Sequence, residues 1–177
     1  MDFYEVIRTR RSVRSYSDRP VDPAVVERVL DAARIAPSAN NTQPWHFVVA
    51  RDADRRRKLA DLCNKQTFIA QAPVVVAACG KSYRSTHHWI AEHMAIVDVT
   101  IAVDHLTLAA RAEGLGTCWI GAFSHDPIHR LLDVPDTHRV MWLTPLGYPA
   151  GDDAFRQTDG RNALSDIVSH ETFGGEA

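Results

Sequence analysis

Three arginines and a serine near the N-terminus are the residues of this chain best suited to chemistry. They occur as Arg10-Arg11-Ser12-Val13-Arg14, here called the arginine segment. Alternate side chains of an extended backbone share a face, so Arg10, Ser12 and Arg14 are predicted to lie on one side. Two guanidinium groups with a hydroxyl between them suit a phosphate monoester, because they combine charge with several donors in planar geometry. Taken alone, the run is also typical of a solvated basic turn.

A second polar stretch, residues 37–43, is called the amide segment and is followed by Pro44. Pro44 is expected to hold Gln43 in an extended conformation, so that the amides of Asn41 and Gln43 point the same way. Each amide presents a donor beside an acceptor, which suits the edge of a heterocycle such as the pyrimidine ring of a flavin. A hydrogen-bonded loop between a helix and a strand is the alternative.

Glycines surround an apolar stretch at residues 114–123, which contains no G-x-G-x-x-G and therefore does not indicate a Rossmann site. Gly116 and Gly121 bracket a predicted strand, and a missing side chain at 121 would let backbone N–H groups approach a flat ring. Such a donor can tune the reduction potential of the ring. A helix end followed by a core strand is the alternative. Arg161, late in the chain, is by itself typical of a surface arginine.

Length and composition predict one domain, residues 1–177, with a substantial core. The chain is 45% hydrophobic and has a net charge of −2, which gives no support to a general role on nucleic acid or on an anionic membrane. The three cysteines, Cys63, Cys79 and Cys118, are odd in number, form no C-x-x-C and have apolar neighbours. They are therefore predicted to be core thiols of a reduced intracellular protein.

The termini and the apolar stretches indicate a cytoplasmic protein without a membrane span. The N-terminus lacks the basic and apolar regions of a signal peptide. The longest apolar zone, residues 90–112, carries four charges that argue against a span: Glu92, Asp98, Asp104 and Arg111.

Helical and extended patterns alternate along the chain, which predicts a layered α/β arrangement whose strand pairing is left open. Strands are predicted at Trp45–Ala50, Val74–Ala78, Thr117–Ile120 and Val140–Leu146. Helices are predicted around residues 3–7, from Asp22-Pro23 toward Pro37, from Asp52 to about Cys63, over Trp89–Glu113 and from Asp126-Pro127. Lys81–His88 is predicted to be a loop, and residues 161–168 a turn or short helix.

The helix predicted at Trp89–Glu113 is apolar around most of its circumference. Such a helix must be covered on nearly every side. A domain of this size rarely encloses one alone, so a partner subunit is inferred. Gly114 is expected to end the helix as its C′ residue.

These segments together make the chain resemble the FMN-dependent nitroreductase family over nearly its whole length. The residues that carry the resemblance are the arginine segment, Pro37-Ser38 through Asn41, Gln43, Pro44 and Trp45, Ala72-Pro73, Gly114-Leu115-Gly116-Thr117, Trp119-Ile120-Gly121, and Arg161 before Leu164-Ser165-Asp166-Ile167-Val168. The resemblance implies an α+β fold, a three-layer α/β/α sandwich that forms an intertwined homodimer. It also implies one FMN at each of two subunit interfaces.

The resemblance also implies roles for particular residues. Arg10, Ser12, Arg14 and Arg161 would hold the phosphate and ribityl end of FMN, and Arg11 would contribute mainly backbone and its aliphatic stem. Four residues would reach the flavin from the partner subunit: Pro37, Ser38, Ala39 and Asn41. Four others would lie beside the ring, with the backbone of the last near its reactive nitrogen: Gln66, Trp119, Ile120 and Gly121.

Two features depart from the family pattern. Many relatives have a basic residue two positions before the late arginine, where this chain has Asp159, and an acid there is expected to weaken the phosphate site. The loop at Lys81–His88 is short, where larger relatives insert helices that cover the substrate, so an open pocket is expected. Tyr83 and Phe123 are candidate walls of that pocket.

The leading hypothesis is an FMN-dependent oxidoreductase that takes hydride from NADH or NADPH and reduces nitroaromatics, quinones or similar electron-poor acceptors by a ping-pong mechanism. The cofactor carries this chemistry, so no catalytic residue and no metal is assigned. A non-catalytic flavin-binding or sensing protein is the alternative on the same fold. A metal-dependent hydrolase built on His87, His88, Glu92 and His93 or on His125 and His129 is weaker, because H-E-x-x-H is absent. A serine hydrolase is weaker still, because there is no G-x-S-x-G.

Overall fold

A four-stranded antiparallel sheet organises the computed structural model, which describes residues 1–81, 88–151, 153–156 and 160–175 and, within them, no side chains for 88–92. The strands are β1 (Trp45–Ala50), β2 (Val74–Lys81), β3 (Gly116–Thr117) and β4 (His138–Gly147), in the spatial order β1-β2-β4-β3. Every pair is antiparallel, which decides the pairing that sequence left open. β2 is central and buried from Val74 to Gly80, as its unbroken apolar run predicts.

Seven α-helices surround the sheet in the described part of the chain, of which two begin at the acidic caps predicted for them. They are α1 (Phe3–Thr9), α2 (Pro23–Arg34), α3 (Ala53–Leu62), α4 (Phe68–Gln71), α5 (His88–Ala112), α6 (His125–Leu131) and α7 (Leu164–Ile167), with a 3₁₀ turn at Ala39–Asn41. The carboxylates of Asp22 and Asp52 accept backbone N–H bonds at the starts of α2 and α3. The start predicted at Asp126-Pro127 is wrong by two residues: α6 begins at His125 after Ser124, so Asp126 lies in its first turn.

Helices cover both faces of the sheet and complete a three-layer α/β/α sandwich. Val74 and Val76 of β2 pack with α2 and α5 on one face. Val75, Ala77 and Cys79 alternate with them and pack against α3, α4 and α6 on the other. The α+β sandwich implied by the resemblance is confirmed.

The third strand is shorter than predicted. Only Gly116 and Thr117 pair regularly with β4, and Ile120 forms a single bridge with Leu143. The ladder breaks at Cys118, because its N–H donates to the Thr144 hydroxyl at 3.3 Å instead of to a strand carbonyl. The loop predicted at Lys81–His88 is wrong at both ends, because Lys81 belongs to β2 and His88 begins α5; residues 82–87 lie outside the described part of the chain.

α5 is the core helix of the domain. Its residues Val99, Ala102, Val103 and Leu106 are buried beneath the sheet. By length and composition alone, residues 93–112 could cross a membrane, a test that core helices of soluble proteins also pass. Gly114 ends the helix with a positive φ of 76°, and the Leu115 N–H donates to the Ala110 carbonyl at 2.8 Å, as expected for a C′ glycine.

Candidate functional site

The arginine segment is extended and lies along the outer side of β3. Ser12 forms a parallel bridge with Thr117, and the Val13 N–H donates to the Thr117 carbonyl at 2.8 Å. The Tyr16 hydroxyl donates to the Val13 carbonyl at 2.8 Å and closes the turn that follows. The segment therefore continues the sheet beyond its β3 edge.

Cys118 directly follows β3 and is buried beside the arginine segment. Its thiol is influenced by the charge of Arg14, the hydroxyl of Ser12 and the charge of Arg10. Burial raises the pKa of the Cys118 thiol, and Arg14, Ser12 and Arg10 each oppose that rise. Arg10, Ser12 and Arg14 thus all lie near Cys118, which is consistent with the shared face that period-2 alternation predicts.

Arg10 and Arg14 carry charges that no described residue neutralises: in the described part of the chain, no carboxylate forms an ion pair with either of them. Arg10 is half-buried, whereas Ser12 and Arg14 are exposed. Two cations with a hydroxyl between them in the segment suit an anion with several oxygens. Arg11, on the opposite side of the segment, is half-buried and already bonded.

Gly116 makes the close approach of this segment possible. A Cβ built at Gly116 would lie 2.7 Å from both Cβ and Cγ2 of Val13. Gly116→Ala must therefore push the arginine segment away from β3, and we expect it to lower the free energy of unfolding by about 1–3 kcal/mol. Urea denaturation measures this loss. Gly151→Ala is the control, since its Cβ would meet only Asp153 at an ordinary 3.4 Å, and an equal loss in both variants would contradict the contact.

Gly121 makes room for an aromatic side chain of the same chain. A Cβ at Gly121 would lie 2.8 Å from the Trp142 ring, and Trp142 packs edge-on against Trp119 with ring centroids 5.2 Å apart. A bulge leaves Met141 unpaired and places Trp142 on the α5 face, where its indole N–H donates to the Thr100 hydroxyl at 3.0 Å. The absence of a side chain at 121 is thus explained by packing within the chain.

The loop that carries Gln66 lies beside the residues that follow Gly121. The Asn64 amide donates to the Ala122 carbonyl at 3.5 Å, and the Ser124 N–H donates to the Leu62 carbonyl at 3.0 Å. Gln66 itself is half-buried and donates its amide to the Cys63 carbonyl at 2.9 Å. Gln66 and Gly121 are therefore held on neighbouring loops.

The predicted geometry of the amide segment is wrong. Gln43 is not extended but has a φ of 47°, and Asn40 and Asn41 have φ values of 50° and 55°. The segment coils because the Gln43 N–H donates to the Ser38 hydroxyl at 2.9 Å and the Gln43 amide donates to the Asn41 carbonyl at 3.2 Å. These local bonds outweigh the preference that Pro44 imposes, and the Gln43 amide is used within the turn.

A buried carboxylate on α5 anchors the amide segment. The Ala39 N–H lies 3.2 Å and 3.3 Å from the two carboxylate oxygens of Asp98. From the sequence, Asp98 is only one of the charges that argue against a membrane span. The signal that could have found it is its spacing, since Ala95 and Ala102 share its helix face and are buried.

One chain holds the amide segment and the arginine segment apart. The amide segment is attached to α5 at Asp98, and Thr9, which precedes the arginine segment, accepts a bond from Arg111 of α5 at 2.9 Å. Thirteen residues of helix separate the two anchors, or about 20 Å at 1.5 Å per residue. The strand register agrees with this separation. β1 follows the amide segment and begins opposite Gly80, which pairs with Arg139 near the start of β4. Thr117, beside the arginine segment, pairs with Leu146 near the end of β4.

The late arginine is not packed into either group. Arg161 is exposed, as is every described residue from Gly160 to Gly174. Phe123 is half-buried and packs against His125 with ring centroids 4.6 Å apart. Tyr83 and Asp159 lie outside the described residues, as do the side chains of His88 and Glu92.

His129, one of the histidines considered as metal ligands, has another contact, whereas His87 lies outside the described residues. The Nε2 atom of His129 lies 2.8 Å from the His138 carbonyl, and Nδ1 of His138 lies 3.0 Å from the Thr137 hydroxyl. Within residues whose side chains are described, no three His, Cys, Asp or Glu residues are grouped to hold a metal ion.

Comparison with known proteins defines the class. The profile of the nitroreductase family matches residues 7–82 and 62–148. The chain is 33% identical over 161 residues to a candidate NADH dehydrogenase/NAD(P)H nitroreductase of Archaeoglobus fulgidus, a match covering 89% of this chain and 91% of that one. A nitroreductase family protein of Clostridium difficile 630 superimposes with a TM-score of 0.82 at 30% identity, covering 98% of this chain and all of that one (100%).

This chain belongs to the nitroreductase family of oxidoreductases, which confirms the resemblance drawn from its motifs. It is also 31% identical over 165 residues to the FMN reductase (NAD(P)H) of Bacillus subtilis, a match covering 82% of this chain and 66% of that protein.

Proposed function

We propose that this protein is an FMN-dependent oxidoreductase that takes hydride from NADH or NADPH and reduces nitroaromatics, quinones or similar electron-poor acceptors. The observation that carries the proposal is the position of the arginine segment along the edge of β3, which places Arg10, Ser12 and Arg14 near Cys118. A relative named as an FMN reductase that uses NAD(P)H supports the same cofactor and donor.

The residues present fit the phosphate end of FMN. Arg10 and Arg14 have no carboxylate partner among the described residues, and Ser12 adds a hydroxyl between them. Charge-assisted bonds of this kind are roughly twice as strong as neutral ones. In this proposal Arg10, Ser12 and Arg14 hold the phosphate, Arg11 supports them through its backbone and stem, and Arg161 joins them from the exposed C-terminal segment.

The protein supplies position, and the cofactor supplies the redox chemistry. When bound, FMN would supply the redox chemistry that links the nicotinamide to the acceptor. The backbone from Trp119 to Gly121 and the side chain of Gln66 orient the ring, since their loops are neighbours. No side chain of this chain is assigned as a catalytic acid or base.

A second copy of the chain completes the site in this proposal. The amide segment lies about 20 Å from the arginine segment along α5, so Pro37, Ser38, Ala39 and Asn41 of a second copy would cover the ring. Apolar side chains of α1, α5 and the C-terminal segment are exposed and available for such a contact: Phe3, Tyr4, Ile7, Ile96, Val97, Leu164, Ile167 and Phe173. The proposed homodimer would be cytoplasmic, with Cys63, Cys79 and Cys118 buried as free thiols.

Steady-state kinetics test the proposed reaction. One shared site that releases oxidised nicotinamide before the acceptor binds predicts parallel double-reciprocal lines when NADH or NADPH is varied at several concentrations of a nitroaromatic or a quinone. Lines that intersect would contradict the ping-pong order. A protein that binds FMN but consumes neither nicotinamide would support the sensing function instead.

A further inference from the structure

Two buried charges stand on the otherwise apolar core helix α5. Asp98 is 2% exposed and Arg111 is 8% exposed, and among the residues whose burial is described they are the only charged side chains in the buried class. Burying a charge is costly unless it is compensated by hydrogen bonds or by an opposite charge. Asp98 forms a compensating contact with the amide segment, and Arg111 forms one with the residue that precedes the arginine segment.

Asp98 fixes the amide segment. Both of its oxygens lie within 3.3 Å of the Ala39 N–H, at the first residue of the turn. The turn contains Asn40, Asn41 and Gln43 with positive φ, a conformation that is unfavourable for residues other than glycine and persists only where its surroundings fix it. The Ser38–Gln43 bond closes the turn internally, and Asp98 attaches the closed turn to the helix.

Arg111 fixes the arginine segment from the other end of the helix. Its Nε donates to the Thr9 hydroxyl at 2.9 Å, and its guanidinium lies 4.0 Å from the centre of the Phe155 ring. Thr9 is the last residue of α1 and directly precedes Arg10. Movement of Thr9 would therefore move the first of the arginines that lie near Cys118.

We propose that Asp98 and Arg111 are positioning residues through which a single helix, α5, positions both the amide segment and the arginine segment. Asp98 orients the amide segment toward the flavin ring of a second copy, and Arg111 orients the arginine segment toward the flavin phosphate of its own copy. This inference rests on the proposed FMN function. Because the two residues serve different ends of the cofactor, their loss has different consequences for flavins with and without a phosphate.

Binding of FMN and of riboflavin, which has the same ring but no phosphate, tests this division in the full-length protein. We expect Arg111→Gln to weaken FMN about tenfold or more and to change riboflavin affinity by less than about twofold. Asp98→Asn has the same size but loses the charge, and we expect it to weaken both flavins by the same factor, about tenfold. Flavin fluorescence measures both affinities.

Thr107→Val is the matched control, because Thr107 is also buried on α5 but bonds only to the Asp104 carbonyl of its own helix. It should leave both affinities unchanged. If Arg111→Gln does not fold, Thr9→Val removes the same contact from the other side and should give the same selective loss of FMN.

Three results would overturn the inference. Equal losses of both flavins in all three α5 variants would show general destabilisation of the helix. Unchanged affinities in Asp98→Asn and Arg111→Gln would show that neither contact positions the site. Wild-type protein that binds neither flavin would refute the proposed function itself and this inference with it.

Discussion

Replacing Arg14 with alanine is expected to weaken FMN binding about 10- to 100-fold, the effect of losing one hydrogen-bonded charge worth about 1.5–3 kcal/mol. Arg14 is exposed, acts on the Cys118 thiol, and has no acidic partner among the described residues. Its removal therefore takes charge from the phosphate site without breaking an internal ion pair. Titration of the apoprotein with FMN measures the change.

The matched control is Arg57→Ala on the solvated face of α3. Arg57 pairs with Asp54 on the surface and lies on a different helix from the proposed site. Surface pairs of this kind contribute little to stability, so FMN affinity should be unchanged. If Arg14→Ala binds FMN as tightly as Arg57→Ala does, the arginine segment is not the phosphate site.

Val97→Asp is expected to convert the protein from a dimer to a monomer and to abolish FMN binding together. Ile96 and Val97 are about two-fifths exposed, at 41% and 39%, on the face of α5 turned away from the sheet core. A carboxylate buried there between two copies would lack a partner. An uncompensated buried charge of this kind costs about 3–5 kcal/mol. Light scattering should give twice the mass of one chain for the wild type and the mass of one chain for the variant.

Asp104→Asn serves as the control, because Asp104 is already polar and exposed on the same helix. It should remain a dimer that binds FMN. A Val97→Asp variant that stays dimeric would show that this face is not the subunit interface. A folded wild-type monomer that binds FMN at full affinity would contradict a site completed by a second copy.

Much of the fold could be predicted because its signals are local. The caps at Asp22 and Asp52 act within one helical turn, and the β-branched run at residues 74–78 is typical of a buried strand whatever its partners are. The extended conformation predicted for the amide segment was wrong for a local reason. Two bonds inside a short turn, from Gln43 to Ser38 and to Asn41, outweigh the preference that proline imposes on its neighbour.

The candidate site was only partly predictable, for a different physical reason. Alternation predicted which face Arg10, Ser12 and Arg14 share, but that Cys118 lies near them follows from tertiary pairing with β3. Gly121 is explained by Trp142, a residue of another strand brought close by a bulge. The helical spacing of Asp98 could have indicated that it is buried, but its bond to Ala39, like that of Arg111 to Thr9, follows from a second segment that lies against the helix.

The visible absorption spectrum of the freshly purified protein, recorded without oxygen before and after addition of NADH or NADPH, tests the central claim most directly. We predict a flavin spectrum that bleaches when the nicotinamide is added and returns when a quinone or a nitroaromatic follows. That result would establish the cofactor, the hydride donor and the class of acceptor in one sample. A colourless protein that fails to take up added FMN would contradict the flavin site at the arginine segment, and a flavin spectrum unchanged by either nicotinamide would contradict the reductase.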